Sequence, residues 1–187
     1  MVRKRILFFA LPLLLVLVAC SKQIKPDDLP AGVQVGRVYY TQFSLFQEEN
    51  NFRTTNYRKG TLIPINTRVS LVSIDSDKVN LKLVGNGQPL SIENIQKHTK
   101  DDMPTAFLKI AGLNKVDLSA FSKSEQENIL AGKVKEGMGR KAVLAAIGYP
   151  PQHKTPSLAA NELTYWASRL QSFVVRFKNG KVVDIDF

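Results

Sequence analysis

The chain has 187 residues, 26 of them basic and 16 acidic, with one cysteine, two histidines and a formal net charge of +10. A single cysteine excludes an intramolecular disulfide, so stability has to come from an apolar core, and the length suits one medium domain or two small ones. The positive charge is spread along the chain and not blocked, which reads as a solvated basic surface favouring anionic neighbours such as lipid head groups or acidic protein patches.

The first feature in chain order is a leader. Arg3, Lys4 and Arg5 precede an apolar run from Ile6 to Val18. That run is shorter than the roughly 20 apolar residues of a bilayer-spanning helix and has the form of a secretory signal. It closes in Leu17-Val18-Ala19-Cys20, which resembles the lipobox of bacterial lipoproteins, with Val18 where Ala or Ser is more usual. The resemblance implies removal of residues 1–19, a diacylglycerol on the Cys20 thiol and an acyl chain such as palmitate on the new amino group. At about 0.8 kcal/mol per buried methylene, two or three chains hold a protein firmly on a membrane. An unmodified cysteine after a plain signal peptide, or an uncleaved anchor, is the alternative.

Ser21 stands where an Asp tends to retain enteric-type lipoproteins in the inner membrane, so the resemblance implies the outer membrane and its periplasmic face. Export excludes nucleic acid as a partner. Loss of Arg3, Lys4 and Arg5 lowers the formal charge from +10 to +7. Residues 20–35 contain Pro26, Pro30 and Gly32 without an apolar period and read as a lipidated flexible tether.

Residues 36–112 read as short strands: one from Val38, one over Asn51 to Tyr57, an alternating one over Arg68 to Ile74, one over Lys78 to Val84, and a fifth marked by Leu90 and Ile92. Asp75-Ser76-Asp77 and Gly85-Asn86-Gly87 supply turn chemistry between them. The stretch from Thr54 to Val69 resembles an SH3-like barrel module, with Arg58-Lys59 on a solvated loop.

From residue 113 the period changes to helical. Ser122 and Glu125 form a capping box before Ile129-Leu130, and that helix ends near Gly132. A second helix begins near Gly139, places Val143, Leu144 and Ile147 on one side, and stops at Gly148 before Pro150-Pro151. Strands follow over Leu163 to Ser168, Phe173 to Lys178 and Val182 to Phe187. For the last hairpin the apolar face selects a three-residue loop, Lys178-Asn179-Gly180, with a bulge at Gly180 and Val175 opposite Val183. The fold class expected is therefore α+β: a small SH3-like all-β barrel over 36–112, then over 113–187 a two-layer domain of two helices packed on a three-stranded antiparallel sheet.

Gly137-Met138, Val143-Leu144, Gly148-Tyr149-Pro150, Tyr165-Trp166 and the run Phe173 to Val182 together resemble the BamE-like (SmpA/OmlA) lipoprotein family over roughly residues 129–185. The resemblance implies a helix-pair-on-sheet fold and a non-catalytic accessory role in outer-membrane β-barrel assembly or envelope integrity. Two features depart from the family pattern: Gly139 replaces a Ser or Thr cap, and a barrel precedes the domain.

No catalytic constellation is present. His98 and His153 are far apart in sequence and in polar, loop-like surroundings, no HExxH, CxxC or GxSxG spacing occurs, and adjacent Asp101-Asp102 on a strand would face opposite sides. No enzyme activity and no cofactor or metal is expected. Arg140 and Lys141 at a helix start with Gly139 as an uncapped N-terminus form a candidate anion site for a phosphate head group, against the simpler reading of solvated side chains. Strand alternation places Leu163, Tyr165 and Ala167 inward and Trp166 outward, so Trp166 covers the domain boundary or meets a partner, with ordinary burial in the C-terminal core as the third reading. Tyr149, Pro150, Pro151 and Trp166, with Arg169 and Arg176 flanking, make the candidate interaction surface. The partners expected are the membrane and envelope proteins of the outer-membrane assembly machinery. Alternatives are a peptidoglycan-binding adaptor using the SH3-like barrel and a periplasmic enzyme inhibitor.

Overall fold

The structure is a computed structural model that describes residues 23–187; the leader, Cys20 and Ser21 lie outside the described residues. It is a mixed α+β fold. In chain order it runs β1 (Val38–Thr41), β2 (Leu45–Gln47), β3 (Asn51–Arg53), β4 (Thr61–Ile63), β5 (Arg68–Ile74), β6 (Lys78–Leu83), β7 (Pro89–Glu93), α1 (Gln96–Thr99), α2 (Met103–Ile110), β8 (Ala111–Gly112), α3 (Lys123–Leu130), α4 (Arg140–Ile147), β9 (Glu162–Trp166), β10 (Ser172–Lys178) and β11 (Lys181–Asp186). No helix among the described residues is long and apolar enough to cross a membrane.

The first half is built on a curled six-stranded sheet of order β3-β7-β6-β5-β1-β8, with β2 and β4 forming a separate pair. All neighbours are antiparallel except β3 and β7, which run parallel. The alternation read over Arg68 to Ile74 breaks once. Leu71 pairs with Leu81 and Ser73 with Asn80, so Val72 is an extra, exposed residue. This bulge lets Val69, Leu71 and Ile74 all face inward although their spacing is not strictly two.

Two corrections to the sequence reading arise in this half. The first is α2, which the strand reading of this half missed. Asp102 accepts the Thr105 N–H as its cap, Pro104 sits in the first turn, and Met103, Ala106, Phe107 and Ile110 are buried at the i, i+3, i+4, i+7 positions of one helical face. Phe107 meets the Tyr39 ring edge-on at 5.1 Å. The second is the tether. From Gln23 onward the segment is docked: Gln23 bridges to Asp75, the Ile24 N–H donates to Ile74 O, and the Gly36 N–H donates to Leu71 O. Val33 is buried, Ile24 and Leu29 pack on the same core, and the Tyr39 hydroxyl donates to Gly32 O at 2.8 Å. Apolar residues too sparse to show a period still suffice to cover an open strand edge.

The second half has α3, α4 and the antiparallel sheet β11-β10-β9 contributing to one core. Ile129 and Val143 from the helices lie with Leu163, Tyr165, Val175 and Phe177 from the strands, and Ile65 enters from the first half. The last hairpin corrects the expected three-residue loop. Lys178 pairs with Lys181 around a two-residue turn in which Asn179 and Gly180 have φ of 52° and 75°, the left-handed pair of a type I′ turn. The bulge lies further along: Phe177 pairs with Val182 and Arg176 with Asp184, leaving Val183 as the extra residue. The apolar face still sets the register, as Phe177–Val182 and Val175–Ile185 pairs, but the inserted residue is the exposed Val183 and not Gly180.

Candidate functional site

The C-terminal ends of α3 and α4 both meet the first half, and donors from that half satisfy their unpaired carbonyls. The Ser44 N–H donates to Ala145 O at 3.2 Å, and the Ser44 hydroxyl donates to Ile129 O at 2.6 Å while accepting the Ile65 N–H at 2.9 Å. The Asn56 amide donates to Ile147 O and, at 3.3 Å, to Tyr149 O. Arg58 donates to Gly132 O at 2.7 Å and lies 4.5 Å from the centre of the Phe46 ring. A cation there complements the partial negative end of α3. Arg58 has no carboxylate partner among the described residues, and burial pushes its guanidinium down to about 10. The solvated loop expected for Arg58-Lys59 is therefore correct only for Lys59, which is exposed and pairs with Glu48 at 3.3 Å.

A cavity of about 140 Å³ opens beside this junction. Phe43, Phe52, Ala106 and Ile110 form its apolar wall on one side, and Tyr149, Pro150, Pro156 and Leu158 on the other. Thr54, Asn56, Thr99, Gln152, Thr155 and the Asp101–Lys109 ion pair, 2.6 Å long, supply polar groups. The turn after α4 shapes the cavity. Gly148 ends the helix, Phe43 packs against it, and the Tyr149 ring stands edge-on to Phe43 at 6.3 Å with Lys109 Nζ 5.9 Å from its centre.

The residues expected to form one interaction surface fall in three places. Tyr149 and Pro150 line the junction cavity, while Pro151 beside them is buried. Arg169 lies in a second groove with Leu170, Tyr57, Lys59, Arg53 and Glu48. Trp166 and Arg176 are on the outer face of the three-stranded sheet, but Trp166 pairs with Ser172 and Arg176 with Glu162, which puts them at opposite ends of β9 and about 13 Å apart. Arg176 does not flank Trp166. Instead its guanidinium binds Asp184, Asp186 at 3.0 Å and Glu162 at 3.0 Å, and these carboxylates raise its pKa further. Trp166 is half-buried, and its shielded indole N–H has no hydrogen-bond partner among the described residues.

At the candidate anion site of Gly139, Arg140 and Lys141, α4 has no side-chain cap, and a carboxylate of the chain stands beside it. Glu125 Oε1 accepts the Gly139 N–H at 2.8 Å while Oε2 closes the capping box at Ser122. That bond holds the Glu125 carboxyl below the usual carboxylate range, with Lys181 3.5 Å away. Arg140 stacks on Phe177 at 4.0 Å and donates to Leu158 O at 2.7 Å, and Lys141 is exposed. One glutamate thus caps α3 and also accepts the N–H of Gly139, the residue before α4, while α4 itself has no side-chain cap.

The two histidines, far apart in sequence, are in contact. His98 in α1 and His153 after the Pro150-Pro151 turn have ring centres 4.2 Å apart at 84°, and the His153 N–H donates to His98 O at 3.1 Å. Thr99 and Gln152, their chain neighbours, line the cavity. Burial first, then His153, Lys97 and Lys100, lower the His98 pKa below the usual imidazole value. The folded state then binds fewer protons than the unfolded chain below about pH 6.5, so stability falls as pH drops through that window. Melting temperature measured from about pH 7.5 to 5 should decline more steeply for the natural chain than for His98→Gln; parallel curves would remove His98 as the cause.

Asp101 and Asp102, considered as paired carboxylates, are both engaged structurally, at Lys109 and at the α2 cap. Among the described residues no three His, Cys, Asp or Glu side chains are grouped to hold a metal ion. The junction offers shape, apolar surface and fixed hydrogen-bonding groups, which is equipment for binding. The chain matches no protein-family model, no curated protein and no solved structure.

Proposed function

We propose that this chain is a non-catalytic envelope lipoprotein, held through Cys20 at the periplasmic face of the outer membrane, that serves β-barrel assembly or envelope integrity as a scaffold or accessory. The junction cavity carries the reading. Its apolar walls come from both halves and are fixed by side chains that cap two helices, so it is a preformed site. A volume of about 140 Å³ suits one apolar side chain, and the surrounding threonines and Gln152 suit the main chain on either side of it. The occupant proposed is an extended segment of an envelope protein. Sharing of one core by α3, α4 and β9–β11 supports the BamE-like reading as a two-layer domain, and the antiparallel β5–β6–β7 meander supports the SH3-like one.

A photo-crosslinking residue at Tyr149 of the lipidated protein should join it to a component of outer-membrane assembly, and Leu158→Asp should abolish the adduct. Adducts to a single hydrolase would favour an inhibitor instead. Cys20→Ser should abolish palmitate incorporation and release the protein from membranes; normal membrane fractionation of that variant would overturn the lipoprotein reading. A cell-wall adaptor is a second reading, favoured by the groove in which Tyr57, Arg53, Lys59 and Arg169 offer a stacking face and cations. Binding to isolated sacculi that is lost in Tyr57→Ala would select it.

A further inference from the structure

We propose that the phospholipid surface meets this protein at one defined pole, formed by Gln23, residues 25–28 and the β5–β6 turn Asp75–Asp77, and that the body rests against the head groups instead of hanging on a long tether. The proposal rests on the reading of Cys20 as the lipid-bearing residue. Only Ser21 and Lys22 separate Cys20 from Gln23, so three residue steps, at most about 11 Å of extended chain, join the lipid to the fold. Gln23 is already fixed. It bridges to Asp75, Ile24 is bonded to Ile74 O, and Ile24, Leu29 and Val33 pack on the first core, so lengthening this link would require stripping apolar side chains from that core.

Charge does not set this orientation. The pole holds two basic residues, Lys25 and Lys78, and four acidic ones, Asp27, Asp28, Asp75 and Asp77, which leaves it slightly acidic, so anionic lipid would not draw it in. The short covalent link alone imposes the geometry, which is therefore insensitive to salt. The pole is also close to the cavity. Asn94 spans between them, its N–H donating to Asp77 O at 2.7 Å and its side-chain amide to Asp101 O at 2.8 Å, and Asp101 lines the cavity. The segments within reach of the cavity are therefore those that proteins embedded in the same membrane expose at its surface. The far end of the sheet, at Gly85-Asn86-Gly87, is about 20 Å away along the six residues of β6.

Because Cys20 would be acylated, an introduced cysteine is the one free thiol. The full lipidated protein carrying Ser76→Cys or Asn86→Cys is labelled with a fluorophore and reconstituted in phosphatidylethanolamine–phosphatidylglycerol vesicles with a head-group quencher. The label at position 76 should be quenched several-fold more than the label at 86, equally at low and high salt, and a long Gly-Ser insertion between Lys22 and Gln23 should erase the difference. Equal quenching at both positions in protein that floats with the vesicles would overturn the orientation while leaving the anchor intact. Protein that fails to float would overturn the anchor reading and the orientation with it.

Discussion

Gly148→Ala should destabilise the protein by about 3 kcal/mol or more, through backbone strain and overpacking together. Gly148 has φ of 73° and ψ of −160°, a conformation open essentially to glycine alone. A Cβ there would lie 2.5 Å from Phe43 Cε2. The Phe43 ring cannot swing away, because it is buried between Phe52 at 6.2 Å and Tyr149 at 6.3 Å. The Tyr165 hydroxyl donates to Gly148 O at 3.1 Å, so displacement would also strip a buried donor. For a domain of this size the loss corresponds to about 10 °C in melting temperature. Adding Phe43→Leu should recover only the steric part, since the φ strain remains. A loss below about 1 kcal/mol for the single variant would show that the turn can relax and that the junction is less rigid than its packing implies.

Asn56→Leu should cost about 2–3 kcal/mol, the second largest effect, by leaving the buried Ile147 carbonyl and the part-buried Tyr149 carbonyl without a donor. Ile147 O and Tyr149 O both accept from the Asn56 amide, and at φ of 58° Asn56 occupies the left-handed region that asparagine tolerates and leucine does not. Leucine keeps the branch at Cγ and is the larger side chain, so no cavity forms and the loss combines the missing donor with some overpacking. Urea denaturation should show a lower midpoint. Tyr149 photo-crosslinking should fall as well, since the turn that lines the cavity loses its tie to the first half. Unchanged stability would mean that water replaces the amide at both carbonyls.

Much of the local structure could be read in advance because its causes are local. The strand β1, the long strands β5 and β6, and the inward set Leu163 and Tyr165 follow from apolar alternation. The start of α3 follows from Ser122 and Glu125, and the end of α4 from Gly148 ahead of Pro150. The helix α2 was equally legible in Asp102, Pro104 and the spacing of Met103, Ala106, Phe107 and Ile110; it was missed because the surrounding strands set the expected period.

What the chain determined by itself, then, is the set of elements whose signals are carried by residues within a turn or two of each other, and with them the α+β class. Only the tertiary structure decided the rest. It placed Arg58 under the end of α3, gave Glu125 a second partner in the Gly139 N–H, docked residues 23–36 along β5, moved the bulge to Val183 and brought His98 against His153. Each of these is a polar or weakly apolar group satisfied by a partner distant along the chain, or a choice between registers of similar local preference. Such partners are selected when two cores close on each other, and no short stretch of sequence carries that information.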